Sequence, residues 1–148
     1  MRYAPLVLLG CLGVGIFVAA RWSPLLPSKN SASHVSAAIS YHNEAAAIEN
    51  KSCSTVVVCP VSSSDWNTIY DYDKNALREA QQANIADMNN HYPGFGDHFR
   101  DEFIGGLKLI VEDGNDSANG PAFIRGQLLV HRFGDWFVAN EDAIRGKK

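Results

Sequence analysis

The residues best suited to chemistry are acidic and imidazole side chains on both sides of residues 91–96, where a proline and two glycines interrupt the helical pattern. The candidates are Asp87, His91, Asp97, His98, Asp101 and Glu102. Asp87 and His91 are four residues apart, as are His98 and Glu102, so each pair shares a helical face. Two helices that meet at this break could direct these groups at a divalent metal ion.

The same grouping is also typical of an exposed helix surface, where carboxylates and histidines are common. The zinc motif HExxH, the nucleophile elbow GxSxG and the phosphate-binding glycine loops are all absent from the sequence. We therefore predict no catalytic residue, no bound metal and no cofactor, and expect the chain not to be an enzyme. A small metal-dependent hydrolase is the third functional alternative.

Two of the three cysteines suggest an oxidising compartment. Cys53 and Cys59 are separated by five residues, whereas Cys11 lies in an apolar segment. This spacing is not that of a CxxC redox centre, and the chain has no second cysteine pair to complete a thiolate zinc site. After export, a disulfide between Cys53 and Cys59 would close a small loop. Two unpaired thiols are the alternative.

The apolar segment at residues 3–20 contains no charged residue and is flanked by Arg2 and Arg21. Its length of about 18 residues fits either a membrane-spanning helix or a signal peptide. Val18 and Ala20 suit a cleavage site before Arg21, but the amino-terminal region is only weakly basic, which favours an uncleaved anchor. We predict a bacterial inner-membrane protein with its domain in the periplasm. A soluble periplasmic or secreted protein is the alternative.

The predicted organisation is an anchor or signal peptide at 1–21, a linker at 22–33 that contains proline and serine, and a helical domain at 34–148. No family resemblance is specific enough to assign residues by analogy.

Helical periodicity runs through most of this domain. Residues 35–48 are rich in alanine and predict a first helix. Residues 65–91 predict a long amphipathic helix that Asp65 caps. Asp97 is expected to cap a third helix at 97–113. The apolar stripe of the first helix contains Val35, Ile39, His42 and Ala46, and that of the third contains Phe99, Phe103, Leu107 and Ile110.

The last segment has two interpretations. A helix that starts at Pro121 would pack antiparallel to the third helix, with Gly105 and Gly106 opposite Gly126 so that the backbones approach closely. Its apolar stripe would consist of Phe123, Val130, Phe133, Phe137 and Ile144. The alternative is a β-hairpin that turns at Gly134 and Asp135. We favour the helix, and so a mainly α fold with a bundle of about four helices; the hairpin would make the fold α+β.

Charge and aromatic content indicate which kinds of partner the chain could bind. The net charge is −3 and no stretch clusters lysine and arginine, so we do not expect nucleic-acid binding. Phe133, Trp136 and Phe137 are candidate interaction residues, since aromatic side chains dominate interface hot spots, although a small domain also needs such rings in its core. We predict a noncatalytic, membrane-anchored binding or accessory protein with an unknown protein partner. The alternative is a released inhibitor or immunity-type protein.

Overall fold

A computed structural model describes residues 29–53, 61–113 and 120–146 of the chain. These residues form five helices and no strand, which confirms the mainly α prediction. The helices are α1 (Lys29–Cys53), α2 (Ser63–Ala80), α3 (Ile85–His91), α4 (four consecutive segments that run from Phe95 to Asp113) and α5 (Pro121–Ile144).

The five helices form two antiparallel pairs. Helix α1 packs along α2, and α4 packs along α5, while α2 also contacts α4 and α3 contacts the start of α4. Buried apolar side chains from all five helices form one hydrophobic cluster. Its largest fully buried rings are Phe95, Phe99, Phe103 and Phe133. Aromatic side chains of α4 and α5 therefore provide much of the core volume.

Helix α1 begins at Lys29, earlier than the predicted residue 35 and inside the segment expected to be a linker. The predicted anchor at 3–20 lies outside the described residues. Within the described ranges, no helix is both long and apolar enough to cross a bilayer. No disulfide is found in the described part of the chain; Cys59 lies outside it, so the pairing of Cys53 with Cys59 stays a prediction.

The predicted long helix at 65–91 is wrong, because it is two helices. Its cap is Ser62, whose Oγ accepts a hydrogen bond from the backbone N–H of Asp65 at 3.1 Å. At the break, Asn84 caps α3 through its side chain, and its own backbone N–H donates to Ser31 Oγ on α1 at 3.1 Å. These side-chain contacts replace helical hydrogen bonds, so the chain turns there and buries Met88.

Helix α4 is irregular. An α-helical turn at Phe95–His98 precedes a π-helical segment at Phe99–Ile104, an α-helical turn at Gly105–Lys108 and a second π-helical segment at Leu109–Asp113. It starts after Gly94, whose φ of 82° suits glycine, so Asp97 lies in the first turn and is not the cap. The predicted apolar face is confirmed, since Phe99, Phe103, Leu107 and Ile110 are all buried.

Helix α5 shows that the hairpin alternative is wrong. It begins at Pro121, as predicted, and passes through Gly134 and Asp135 without interruption. The stripe Phe123, Val130, Phe133, Phe137 and Ile144 is buried along its whole length. Because one helical face is buried along the whole segment, a continuous helix buries these apolar side chains without a turn.

The predicted close approach of α4 and α5 is confirmed at Gly106 and Gly126. A Cβ atom built on Gly106 would lie 2.6 Å from the carbonyl oxygen of Gly126, and one on Gly126 would lie 2.5 Å from the carbonyl oxygen of Gly106. Gly105 is different, because its Cβ would meet nothing closer than the carbonyl oxygen of Arg100 at 3.7 Å. Only one glycine of the adjacent pair is therefore required for contact with α5.

Candidate functional site: a buried imidazole and carboxyl cluster

The predicted acidic and imidazole residues around 91–96 do not converge on one point. His98 Nδ1 lies 3.2 Å from Glu102 Oε2, in agreement with their spacing on one helical face. Asp97 and Asp101 instead pair with the exposed Arg100, at 3.1 and 2.7 Å. The hydrogen bond from Arg100 lowers the pKa of Asp101. These four acidic and imidazole residues are thus engaged within α4.

The two candidates on α3 have other roles. Asp87 lies in the first turn, where its backbone N–H donates to Asn84 Oδ1 at 3.2 Å. His91 Nε2 lies 2.9 Å from the carbonyl oxygen of Ile144 and so joins α3 to the end of α5. Across the described ranges, no three side chains of histidine, cysteine, aspartate or glutamate are grouped so that they could hold a metal ion.

The candidate interaction residues are divided between core and surface. Phe133 and Phe137 are buried, so in this conformation their rings face other core residues. Trp136 is partly exposed, and its ring stacks on the imidazole of His98 with 4.2 Å between centroids. The Trp136 ring also contacts the rings of Phe95 and Tyr92. Of the three, Trp136 is the residue that a partner could reach.

A different pair of ionisable residues lies in the interior. His42 Nδ1 donates to Asp73 Oδ1 at 2.7 Å and ties α1 to α2. Asp73 is fully buried and His42 is 2% exposed. The edge of the His42 ring meets the ring of Phe103 on α4, with 5.9 Å between centroids and an angle of 84°. This hydrogen-bonded pair is thus held between three helices.

Glu49 extends this cluster to α5. Gln127 Nε2 donates to Glu49 Oε1 at 3.0 Å, and the glutamate is 8% exposed. Burial, together with repulsion by Asp73, raises the pKa of Glu49 to about 8, against the opposing effects of His42 and Gln127. At neutral pH this carboxyl group is therefore mainly protonated.

The imidazole of the cluster is stabilised in its charged form. Burial alone would lower the pKa of His42, but the charge of Asp73 and its hydrogen bond outweigh burial, so the pKa is raised. The second carboxylate oxygen of Asp73, Oδ2, is buried and has no hydrogen-bond partner among the described residues. The His42–Asp73 hydrogen bond thus favours the charged form of the imidazole, whereas burial favours the neutral form of Glu49 beside it.

The His42–Asp73 pair has the residue types of an imidazole–carboxylate pair in a hydrolase active site, but it is not accessible to solvent. An imidazole oriented by a carboxylate activates a nucleophile in many hydrolases. Here the imidazole is buried against Phe103, and the carboxylate is closed off from solvent. A substrate therefore cannot reach His42 in this conformation, and the cluster serves to join helices.

The sequence contained a weak signal for two members of this cluster. His42 lies on the apolar stripe predicted for the first helix. Asp73 lies on the buried face of α2 between Ile69 and Ala76, where a carboxylate would be out of place on a simple amphipathic helix. Glu49 and Gln127 carried no such signal, because their contact depends on how α1 and α5 meet.

All five histidines of the chain are engaged with acceptors inside the fold. Three of them join different helices, and two form pairs within a single helix. The contacts are His34 with Glu79, His42 with Asp73, His91 with the carbonyl oxygen of Ile144, His98 with Glu102, and His131 with Asp135. The imidazoles are thus used mainly to build the bundle.

Comparison of the chain with protein-family models, with curated proteins and with solved structures found no match.

Proposed function

We propose that this chain is a noncatalytic binding or accessory protein, which its apolar N-terminal segment anchors to the bacterial inner membrane. Its helical domain lies on the periplasmic side and acts by docking another protein. The observation that carries the proposal is the use of all five histidines in contacts within the fold. An active site for acid–base or metal chemistry usually presents an imidazole to a cleft.

Trp136 is the proposed centre of the docking surface. It is partly exposed and stacks on His98, whose side chain is 37% exposed. Tryptophan is enriched among residues that dominate binding energy, because its ring offers a large apolar area with few rotatable bonds. The ring of Phe133 contacts that of Trp136, and the ring of Phe137 packs on Phe133.

The experiment is capture of a partner from solubilised membranes by the full-length chain with a C-terminal tag. Trp136→Ala should reduce capture of the partner found with the wild-type chain. Val138→Ala is the matched control, because Val138 is exposed on the same helix and should not matter for binding. Thermal unfolding of both variants separates a lost contact from a lost fold. Equal capture by all three proteins would reject Trp136 as the docking residue.

Two measurements separate the alternatives. The intact mass of the membrane-bound protein should include residues 1–20 if the anchor is retained, whereas a mature chain that begins at Arg21 would favour the released inhibitor or immunity-type protein. A stoichiometric divalent metal in the purified full-length chain would favour the metal-dependent hydrolase.

A further inference from the structure

The outward side of α4 is open to solvent in the part of the chain that the structure describes. Taken one residue per turn, this side consists of His98, Asp101, Gly105, Lys108 and Glu112, which are all exposed or partly exposed. The buried residues of α4 lie on its opposite side, toward the core and α5. Gly105 is therefore the middle residue of an open helix face.

The charges on this face change sign from one side of Gly105 to the other. Asp101, whose side chain is 62% exposed, lies one turn before the glycine, and the exposed Lys108 lies one turn after it. The turn before is π-helical and the turn after is α-helical, so they contain four and three residues. His98 and Glu112 lie seven residues before and after the glycine.

These charges are not balanced within α4. Neither Lys108 nor Glu112 forms an ion pair with any of the described residues. Asp101 pairs with Arg100 at 2.7 Å, but Arg100 also pairs with Asp97 at 3.1 Å, so one guanidinium serves two carboxylates. The face thus has an excess negative charge before its middle and an unpaired positive charge after it.

Gly105 leaves the middle of the face without a side chain. Among the described atoms, a Cβ there would meet nothing closer than the carbonyl oxygen of Arg100 at 3.7 Å. Packing inside the described fold therefore does not require glycine at this position, and glycine in a helix is less stabilising than alanine. What the glycine does permit is the close approach of another backbone to α4.

We propose that this face binds the same face of a second copy of the chain, with the two α4 helices antiparallel and crossing at Gly105. A two-fold axis at the glycine places each residue opposite the residue that lies equally far on the other side in the second copy. Lys108 then meets Asp101 of the second copy. Glu112 likewise meets His98 of the second copy. By symmetry each contact is made twice, and each joins a carboxylate to a basic group.

The reversal of charge about one point favours a second copy over an unrelated partner. A two-fold contact needs such a reversal, because without it like charges would face each other. A partner of uniform charge would instead meet like charge on one half of the face. The inference does not rest on the proposed function, since the face is centred on Gly105, whereas Trp136 lies at its end against His98.

Association of the full-length chain in detergent micelles tests the two-fold contact. Light scattering after size exclusion should show the protein mass rising from one chain to two with concentration, and salt should weaken the dimer because its charges are exposed. Lys108→Glu should raise the dissociation constant at least about tenfold, since it places like charges opposite each other twice. Lys74→Glu makes the same charge change at an exposed position on α2 and should associate as the wild-type chain does.

Two variants that do not associate alone should associate when they are mixed. Lys108→Glu brings carboxylates together across the two-fold axis, and Asp101→Lys brings ammonium groups together, so each should be monomeric where the wild-type chain is dimeric. An equimolar mixture should form a mixed dimer, because opposite charges then face each other at both contacts. Both positions are exposed, and circular dichroism of each variant should show the wild-type helix content.

A cross-link in the wild-type chain needs no variant. A carbodiimide should join the Lys108 amine of one copy to the Asp101 carboxylate of another as an amide, while the carbodiimide takes up the water that is lost. Mass spectrometry of mixed nitrogen-15-labelled and unlabelled chains identifies the peptides joined between copies. The proposal is overturned if the wild-type chain stays monomeric, if Lys108→Glu associates as tightly as Lys74→Glu, if the mixed variants stay monomeric, or if this cross-link forms only within one chain. None of these results would affect capture of a different protein through Trp136, so the two proposals fail separately.

Discussion

Two neighbouring glycines on α4 should respond in opposite directions to the same substitution. In Gly106→Ala the new Cβ would lie 2.6 Å from the carbonyl oxygen of Gly126 and 2.7 Å from Val130 Cγ2. The oxygen belongs to the backbone of α5 and cannot rotate away, so the two helices must separate. Overpacking of this kind costs about 1–3 kcal/mol, and the conflict with a rigid helix places the cost near the upper end.

The helix propensity of alanine offsets part of this cost. Replacing glycine with alanine inside a helix stabilises it by about 1 kcal/mol. The net effect of Gly106→Ala should be a loss of about 2 kcal/mol in the free energy of unfolding, measured by urea titration of the full-length chain with circular dichroism at 222 nm. Thermal unfolding should show a fall of about 4–8 °C for each kcal/mol lost.

Gly105→Ala is the control within the same helix. Its Cβ would have ordinary contact at 3.7 Å, and Gly105 has right-handed helical φ and ψ of −59° and −41°. Its free energy of unfolding should rise by about 0.5–1 kcal/mol. Gly126→Ala should lose stability as Gly106→Ala does, because it obstructs the same approach from the other side. If Gly106→Ala is as stable as Gly105→Ala, the close packing of α4 and α5 is refuted.

The remaining predictions also concern stability. Phe133→Ala should lower the free energy of unfolding by about 3–5 kcal/mol in urea titration, because its ring is fully buried. Trp136→Ala should lower it by about 2–4 kcal/mol. Unchanged stability in Trp136→Ala would mean that its ring contributes to docking alone. Asp73→Ala should cost about 3–5 kcal/mol by leaving the buried His42 ring without its hydrogen-bond partner, and substitution of both residues by leucine should cost less. Glu49 binds its proton more tightly in the folded chain than in the unfolded chain. Its contribution to the free energy of unfolding should therefore be greatest below pH 4.5 and should fall as the pH rises to about 8. His42, whose pKa is also raised, acts in the same direction above pH 6.5, and a flat pH profile of stability would contradict both assignments.

Periodicity predicted the parts of the fold in which one face of a helix is buried throughout. The apolar residues of α4 and α5 recur at helical spacing, and every member of the predicted stripes is buried. Gly106 and Gly126 were also predictable as a pair, because a small residue on each of two antiparallel helices allows close approach. In these two helices the local sequence pattern and the tertiary packing agree, so the spacing of apolar residues was enough to predict the buried face.

Element boundaries depended on contacts that a local pattern does not contain. The break after Ala80 is fixed by Asn84, whose backbone N–H donates to Ser31 on another helix, 53 residues away in sequence. A pattern of alanine, glutamine and asparagine continues across the break, so propensity alone favours one long helix.

The buried cluster was the least predictable feature because its residues are far apart in sequence. His42 and Asp73 are 31 residues apart, and Glu49 and Gln127 are 78 apart. His42 and Asp73 each lie on the apolar face of a helix, but Glu49 and Gln127, taken alone, are consistent with exposed positions. Their burial follows from the packing of the helices, because His42 of α1 meets Asp73 of α2, and Gln127 of α5 reaches Glu49 near the end of α1. Ionisable groups make the stability of such an interior depend on pH. Hydrophobic residues of similar size would hold the helices together at any pH. The physical consequence of ionisable residues at these positions is that the free energy of unfolding depends on pH.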